Sequence, residues 1–470
     1  MELDDEGNPI VRGSGIAHAF ARRIHALGPA DLTPDVMHWA RVGLLDTVGV
    51  TLAGSREPAV MRTAQALDLH DGPALWFGQR RRVGVLDAAL LNGTASHALD
   101  FDDCNNTMGG HPSAPVLSAL LPLAEQLGSR GEDFVLAYVA GFETECKLGL
   151  AVNFHHYTKG WHPTATLGTF GAAAACARLM GLNAPQIATA LALAASFASG
   201  IKANFGTMTK PLHVGHSARN GLLAARLAAS GVTASAERVF EHEHGFLDVF
   251  NGAGTYDAER ALAAWAAPLD ILKPGIAIKQ YPCCGSTHPA IDALLQLVRE
   301  HALRAQDITG IEAWIHRRRL QHTNRPEPRT ALDAKFSLQY VLARAVLDGC
   351  VAVPQFEGQA HADPRVHALL PRIRVAAYDE TQFAPDNHFG GAVRVTLADG
   401  RTLQAQVEQA LGRTSDHPLP AALLQAKFRL CAASVLTDDG VDRTAACIES
   451  IHTVPDLREL TGAILNTTRA

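Results

Sequence analysis

The sequence lacks the grouped thiols that would point to a bound metal or a disulfide framework. Its eight cysteines are scattered, no C-x-x-C occurs, and only Cys283 and Cys284 are neighbours. This excludes zinc-finger and ordinary iron–sulfur spacing. It also lacks an apolar run long enough for a membrane span, because Gly, Pro, His and charges interrupt every Ala-rich stretch. The opening residues MELDDEGNPI are acidic and polar, without the basic start and apolar run of a secretory signal. A cytoplasmic location is therefore expected. Nor is there an excess of positive charge. The 41 basic and 47 acidic side chains leave a formal charge of −6, which gives no electrostatic reason to expect nucleic acid or an anionic membrane as partner. No fixed repeat period is present.

What is present is an ordinary globular composition, 47% hydrophobic and 19% charged, over 470 residues. From about Ile16 to Ala266 the pattern is helical. Thr33 and Pro34 form a cap and first position for a helix running to Gly54. Ala114–Leu127, Thr166–Gly181, Pro185–Ser199 and Ser217–Gly231 read as further helices, rich in Ala and ended by Gly or polar residues. Composition changes near Leu269. Gly310–Arg319 and Arg372–Asp379 read as strands, and Ala392–Leu397 with Thr402–Val407 form a hairpin about Asp399-Gly400. Helices Pro289–His301 and Lys335–Asp348 lie between them. From about Pro418 the chain returns to helix. The fold expected is mostly α, a large helical domain with a smaller α+β domain: 11–268, then 269–408, then a helical segment 409–470 that packs back on the first.

Four polar motifs stand at expected helix starts: His111-Pro112-Ser113, Trp161-His162-Pro163-Thr164, Thr209-Lys210-Pro211-Leu212-His213, and Lys279 through Cys283-Cys284-Gly285-Ser286-Thr287-His288-Pro289. Free N–H groups and the helix dipole make such places anion sites, and a His or Lys adds a titratable group. Asp100, Asp102 and Asp103 supply carboxylates. One such motif alone reads as a cap or turn; the same chemistry recurring at four helix starts points to a shared site. His155 and His156 lack the carboxylate or thiolate support of a metal site and read as structural, as Cys283 reads as a buried thiol.

The segments LLDTVGVTLAG, ASHALDFDD, GGHPSAPVLSALLPLAE, WHPTATLGTFGAAAACARLMGL, TKPLHVGHSARNGLLAARLAASG and YPCCGSTHPAIDA resemble the MmgE/PrpD family, and the resemblance covers nearly the whole chain. That family includes 2-methylcitrate dehydratase, cis-aconitate decarboxylase and iminodisuccinate epimerase. The resemblance implies that the α+β domain is a lid, that the protein is a homodimer, and that it uses no metal or other cofactor. It places Asp100, His111, His162, Lys210 and Lys279 in the pocket. Two positions depart from the decarboxylase, which has threonine where this chain has Cys104 and histidine where it has Cys284. Near the decarboxylase's lid tyrosine stands His322.

The chemistry common to the family is proton transfer next to a carboxylate in a small polycarboxylate. His162 is the first candidate for general acid/base, because imidazole titrates near neutrality, and His111 is the second. Lys210 and Lys279 are candidates for binding carboxylates and spreading enolate-like charge. Asp100 would orient a neighbour. Cys104, His288 and His322 complete the substrate-binding candidates. A 2-methylcitrate dehydratase-like lyase is the main expectation. Cys284 in place of histidine argues for an epimerase needing a base on each face. A cis-aconitate decarboxylase-like enzyme and a non-catalytic carboxylate-binding homologue are the remaining alternatives.

Overall fold

A computed structural model describes residues 13–469; the acidic opening stretch, residues 1–10, lies outside them. The chain is mostly helical, with one large helical body and a smaller α+β lid. The body centres on helix Thr209–Ala229, which packs against Val85–Ala98 and Pro163–Leu179. Small residues explain the closeness. A Cβ added to Gly93 would come within 2.7 Å of Gly215 Cα, and one on Gly221 within 2.7 Å of the Thr169 carbonyl. Helix Pro34–Gly54 begins as the sequence predicts, with Thr33 accepting from Val36 N–H at 3.3 Å and Pro34 at its first position.

Two helices start earlier than the pattern suggests. Pro163–Leu179 makes His162 its N-cap residue. Thr209–Ala229 takes Lys210 and His213 into its first two turns rather than leaving them in front of it. Pro211 is tolerated there because first-turn N–H groups have no intrahelical partner. The body also carries a small antiparallel pair, Asp71–Trp76 with Arg81–Val83.

The lid sheet has four strands in the order Ile373–Ala377, Ile308–Ile315, Gly391–Leu397, Thr402–Val407. The first two are parallel and the other neighbours antiparallel. The expected strand at 310–319 ends at Ile315; Arg317–Thr323 is a helix, capped by the His316 side chain. Helix His288–His301 packs on the sheet, as does Leu338–Asp348 within the parallel crossover. Lys335 lies in the turn before that second helix rather than inside it.

Among the described residues two large hydrophobic cores result, with a small cluster of Val50, Leu99, Phe101 and Cys431 beside them. One gathers residues from Ile16 to Ile278 and again from Leu424 to Ile464. The other runs from Cys283 to Leu397. Helix Ala421–Ala432 thus returns to the body and packs on Pro34–Gly54. Among the described residues no helix is long and apolar enough to cross a membrane.

Candidate active site

A cavity of about 490 Å³ lies between body and lid. Of the residues expected from sequence, Asp100, Cys104, His111, His162, Lys210, Lys279, Cys284 and His322 all line it. His288 does not. It opens the helix that packs on the lid sheet, with its Nε2 3.3 Å from the Cys283 carbonyl and its ring edge-on to Tyr281. As the first residue of that helix, its side chain is drawn back into the lid core.

The floor is built on the turn after helix Val85–Ala98. Asp100 sits there at φ 52°, a conformation a non-glycine residue holds only when its surroundings enforce it. Three buried lysines do so. Lys335 Nζ donates to the carbonyl of Leu99 at 2.5 Å, Lys279 to that of Asp100 at 2.6 Å, and Lys427 to that of Phe101 at 2.8 Å. They come from the lid, the segment that leads into it, and the returning C-terminal helix. The Asp100 carboxylate also meets Lys210 Nζ at 2.7 Å and Lys279 Nζ at 3.2 Å. Burial opposes ionisation of Asp100, but the two lysines prevail and hold it well below the usual carboxylate range.

Beneath this pair lies a histidine that sequence reasoning passed over. His97 presents Nδ1 to Asp102 at 2.8 Å and Nε2 to Lys210 Nζ at 2.7 Å. Burial, with help from Lys210, pushes its pKa down to about 3 against the pull of Asp102, so the ring is neutral. A neutral ring with these partners donates from Nδ1 and accepts at Nε2. The signal was its place five residues before Asp102, inside the segment ASHALDFDD. Donor atoms of His97, Asp100, Asp102 and His111 lie within 4.8 Å of one another, and Lys210 Nζ reaches two of them.

Two histidines on this wall are driven apart in basicity. His111 Nδ1 is 3.2 Å from Asp102 Oδ2. Burial would neutralise His111, but Asp102 overrides it and the pKa rises to about 10. His162 stands at the start of helix Pro163–Leu179, its Nδ1 3.2 Å from His213 Nδ1. Burial first, then Lys210, keep it well below the ordinary histidine range. A protonated and a neutral imidazole thus share the cavity.

The lid side carries the turn Cys284-Gly285-Ser286. Cys284 Sγ is 3.6 Å from His322 Nε2, and Ser286 Oγ is 3.2 Å from the same atom. Burial disfavours the thiolate, yet the contact with His322 outweighs it and the pKa falls to about 6. Cys104, on the body side, lies 3.8 Å from His111 Nδ1; there too burial is outweighed by His111 and Lys279, and the thiol is made more acidic.

In charge the lining is one-sided. Among the described residues six lysines and arginines, Lys202, Lys210, Lys279, Arg318, Arg319 and Arg413, together with protonated His111, face one carboxylate, Asp100. Such a cavity concentrates small polyanions.

Comparison with known proteins agrees with this architecture. A family model described as the MmgE/PrpD N-terminal domain matches residues 18–259, and the MmgE/PrpD C-terminal domain matches residues 281–453. The chain belongs to the MmgE/PrpD family. Its relatives include cis-aconitate decarboxylase of Homo sapiens, 32% identical over 95% of this chain and 94% of that protein. Cis-aconitate decarboxylase of Aspergillus terreus is 27% identical over 95% of both chains. 2-Methylcitrate dehydratase of Cupriavidus necator is 26% identical over 83% of this chain and 84% of that protein. These family relatives are lyases, and the resemblance read from the motifs holds across both domains.

Proposed function

We propose that the protein is a hydro-lyase that acts on a small di- or tricarboxylate by removing a proton next to a carboxylate. The observation that carries this reading is the pair of histidines held in opposite protonation states on one cavity wall. Elimination of water needs a base and an acid at once, and environments that drive two like groups apart supply them. Neutral His162 takes the proton from carbon. The electron pair left behind forms an enolate-like intermediate, whose charge falls on Lys210 and Lys279. The pair then expels the β-hydroxyl, which leaves as water with the proton of His111. His97 and Asp102 hold His111 and Lys210 in place.

A second reading, decarboxylation, draws support from the 32% identity to a protein named cis-aconitate decarboxylase over nearly the whole of both chains. There a carbon–carboxylate bond breaks, carbon dioxide leaves, and the carbanion takes a proton from His111. That route needs an acid but no base, so neutral His162 has less to do in it.

Incubation with a panel of hydroxy-, imino- and unsaturated di- and tricarboxylates, followed by proton NMR and by measurement of carbon dioxide, tests both. Stoichiometric loss or addition of water supports the hydro-lyase. Carbon dioxide release without hydration chemistry replaces it by the decarboxylase. Exchange of the α-proton with inversion alone would mark an epimerase, and no turnover of any member would overturn the enzymatic reading. The homodimer implied by the family resemblance is part of this proposal. Leu423 and Leu430, two turns apart on helix Ala421–Ala432 and both exposed, support it, and sedimentation velocity tests it.

A further inference from the structure

The floor lysines and the lid arginines differ in one respect. Lys210 and Lys279 share the carboxylate of Asp100. Arg319 and Arg413 line the same cavity, and among the described residues neither forms an ion pair with a carboxylate. Both guanidinium groups pack on one ring, with Cζ 4.8 Å and 4.9 Å from the centroid of Phe389. Arg319 is held from behind: Nε donates to the His388 carbonyl at 2.6 Å and Nη1 to Ser286 Oγ at 3.2 Å. The Nε of Arg413 is buried without a hydrogen bond, and its Nη1 would lie 3.5 Å from a Cβ added at Gly285, so it flanks the Cys284-Gly285-Ser286 turn.

Two like charges brought together and partly dried are costly unless an anion joins them. Burial and then Arg413 lower the pKa of Arg319 to about 9, the direction that cost dictates. The anionic neighbours that the chain itself offers are the Cys104 and Cys284 thiols, and they are already engaged by His111 and His322. A thiolate is a single acceptor, whereas two planar forks match the two oxygens of a carboxylate. Phe389 fixes both guanidinium planes by cation–π contact and so pre-pays part of the ordering cost.

We propose that Arg319 and Arg413, set on Phe389, form a separate carboxylate-binding subsite on the lid, so that the preferred ligand is a tricarboxylate. One carboxylate lies at the lid arginines and the others at the lysine-rich floor. The inference rests on the polycarboxylate reading of the cavity, but its test does not need turnover.

Titration calorimetry on the full chain with propane-1,2,3-tricarboxylate and with glutarate supplies that test. The wild type is expected to bind the tricarboxylate about 20-fold or more tighter than the dicarboxylate, the worth of an added charged, hydrogen-bonded contact. Arg413→Gln should remove most of that difference and leave glutarate affinity within about threefold. Among the described residues Arg413 makes no side-chain hydrogen bond, so this variant gives up little folding stability. Arg413→Lys, which keeps charge and loses the fork, should lie between. Equal affinity of the wild type for the two acids, or a ratio unchanged in Arg413→Gln and Arg319→Gln, overturns the subsite. A wild type that turns over no polycarboxylate but shows the ratio and its loss would sink the lyase reading and keep the subsite.

Discussion

Lys335 of the lid reaches the backbone carbonyl of Leu99, one residue before Asp100, and donates to it across 2.5 Å. The lid therefore holds the turn that presents the one carboxylate lining the cavity among the described residues. Burial brings the Lys335 pKa down to about 8, so the contact is costly to keep charged and costly to lose. Lys335→Met should lower stability by about 2 kcal/mol by leaving that carbonyl unpaired. It should also depress kcat more than it raises KM, because Asp100 loses its fixed position. Melting curves and steady-state kinetics read the two effects. A variant with lower melting temperature but unchanged kcat would confine Lys335 to a structural part.

The histidine pair predicts the shape of the pH profile. His162 must be neutral, and its pKa lies well below the ordinary value, so the acid limb of kcat/KM should fall below the usual histidine range. His111 must be protonated, and its pKa is about 10, so activity should decline only as pH rises through that value. Asp102→Asn removes the charge that raises it, and the alkaline limb should then move to lower pH. An alkaline limb that stays in place would dissociate it from His111.

For Lys210, replacement by Ala should cost about 100-fold or more in kcat/KM, roughly 3 kcal/mol, if it spreads charge in the transition state. His162→Asn should cost on the order of 100- to 10,000-fold in kcat, the range for losing a general base. Near wild-type efficiency in Lys210→Ala would leave that residue with no more than the support of Asp100 and His97.

Cys284 gives a prediction independent of substrate. Its thiol titrates near pH 6 because His322 outweighs burial. Iodoacetamide labelling of Cys284, followed by mass spectrometry across pH, should half-saturate in rate near pH 6. In His322→Gln the midpoint should rise by more than about one pH unit, equivalent to roughly 1.4 kcal/mol of lost thiolate stabilisation. Labelling with an ordinary thiol midpoint in the unaltered protein would remove Cys284 from the acid–base chemistry of the lid.

A stability prediction concerns the helix interface. A Cβ at Gly215 would run into the Leu90 carbonyl and come within 2.9 Å of Thr94 N, both backbone atoms that cannot step aside. Gly215→Ala should therefore destabilise by about 1–3 kcal/mol or more, although alanine favours helix. Thermal melting decides it, since a gain in stability would mean that the two helices can separate.

Much of this was legible in the chain. Helix caps and Ala-rich runs mark the body, and the alternation about Asp399-Gly400 marks the lid hairpin. His111 and His162 announce themselves by standing before proline-led helices. His97, Arg319 and Arg413 do not. His97 lies inside a helix rather than before one, and its meaning comes from Asp102, five residues on, folding back against it. Arg319 sits where a strand pattern runs past Ile315 into a helix. Arg413 comes from the connection back to the C-terminal helices, and only the tertiary fold brings it to Phe389. His288 misled for the converse reason: proximity to Lys279 in sequence does not turn a side chain toward the same space.

The glycine-to-backbone contacts of the body also bear on how such a site changes over generations. Where helices touch through their main chains there is no spare volume to lend, and a substitution on that wall strains the scaffold before it reshapes the cavity. The lid wall is made of side chains on a turn, a short helix and a connecting loop: Cys284, His322, Arg319 and Arg413. New substrates should therefore be acquired there, with the helical floor inherited almost unaltered, and a library aimed at changing specificity belongs on the lid.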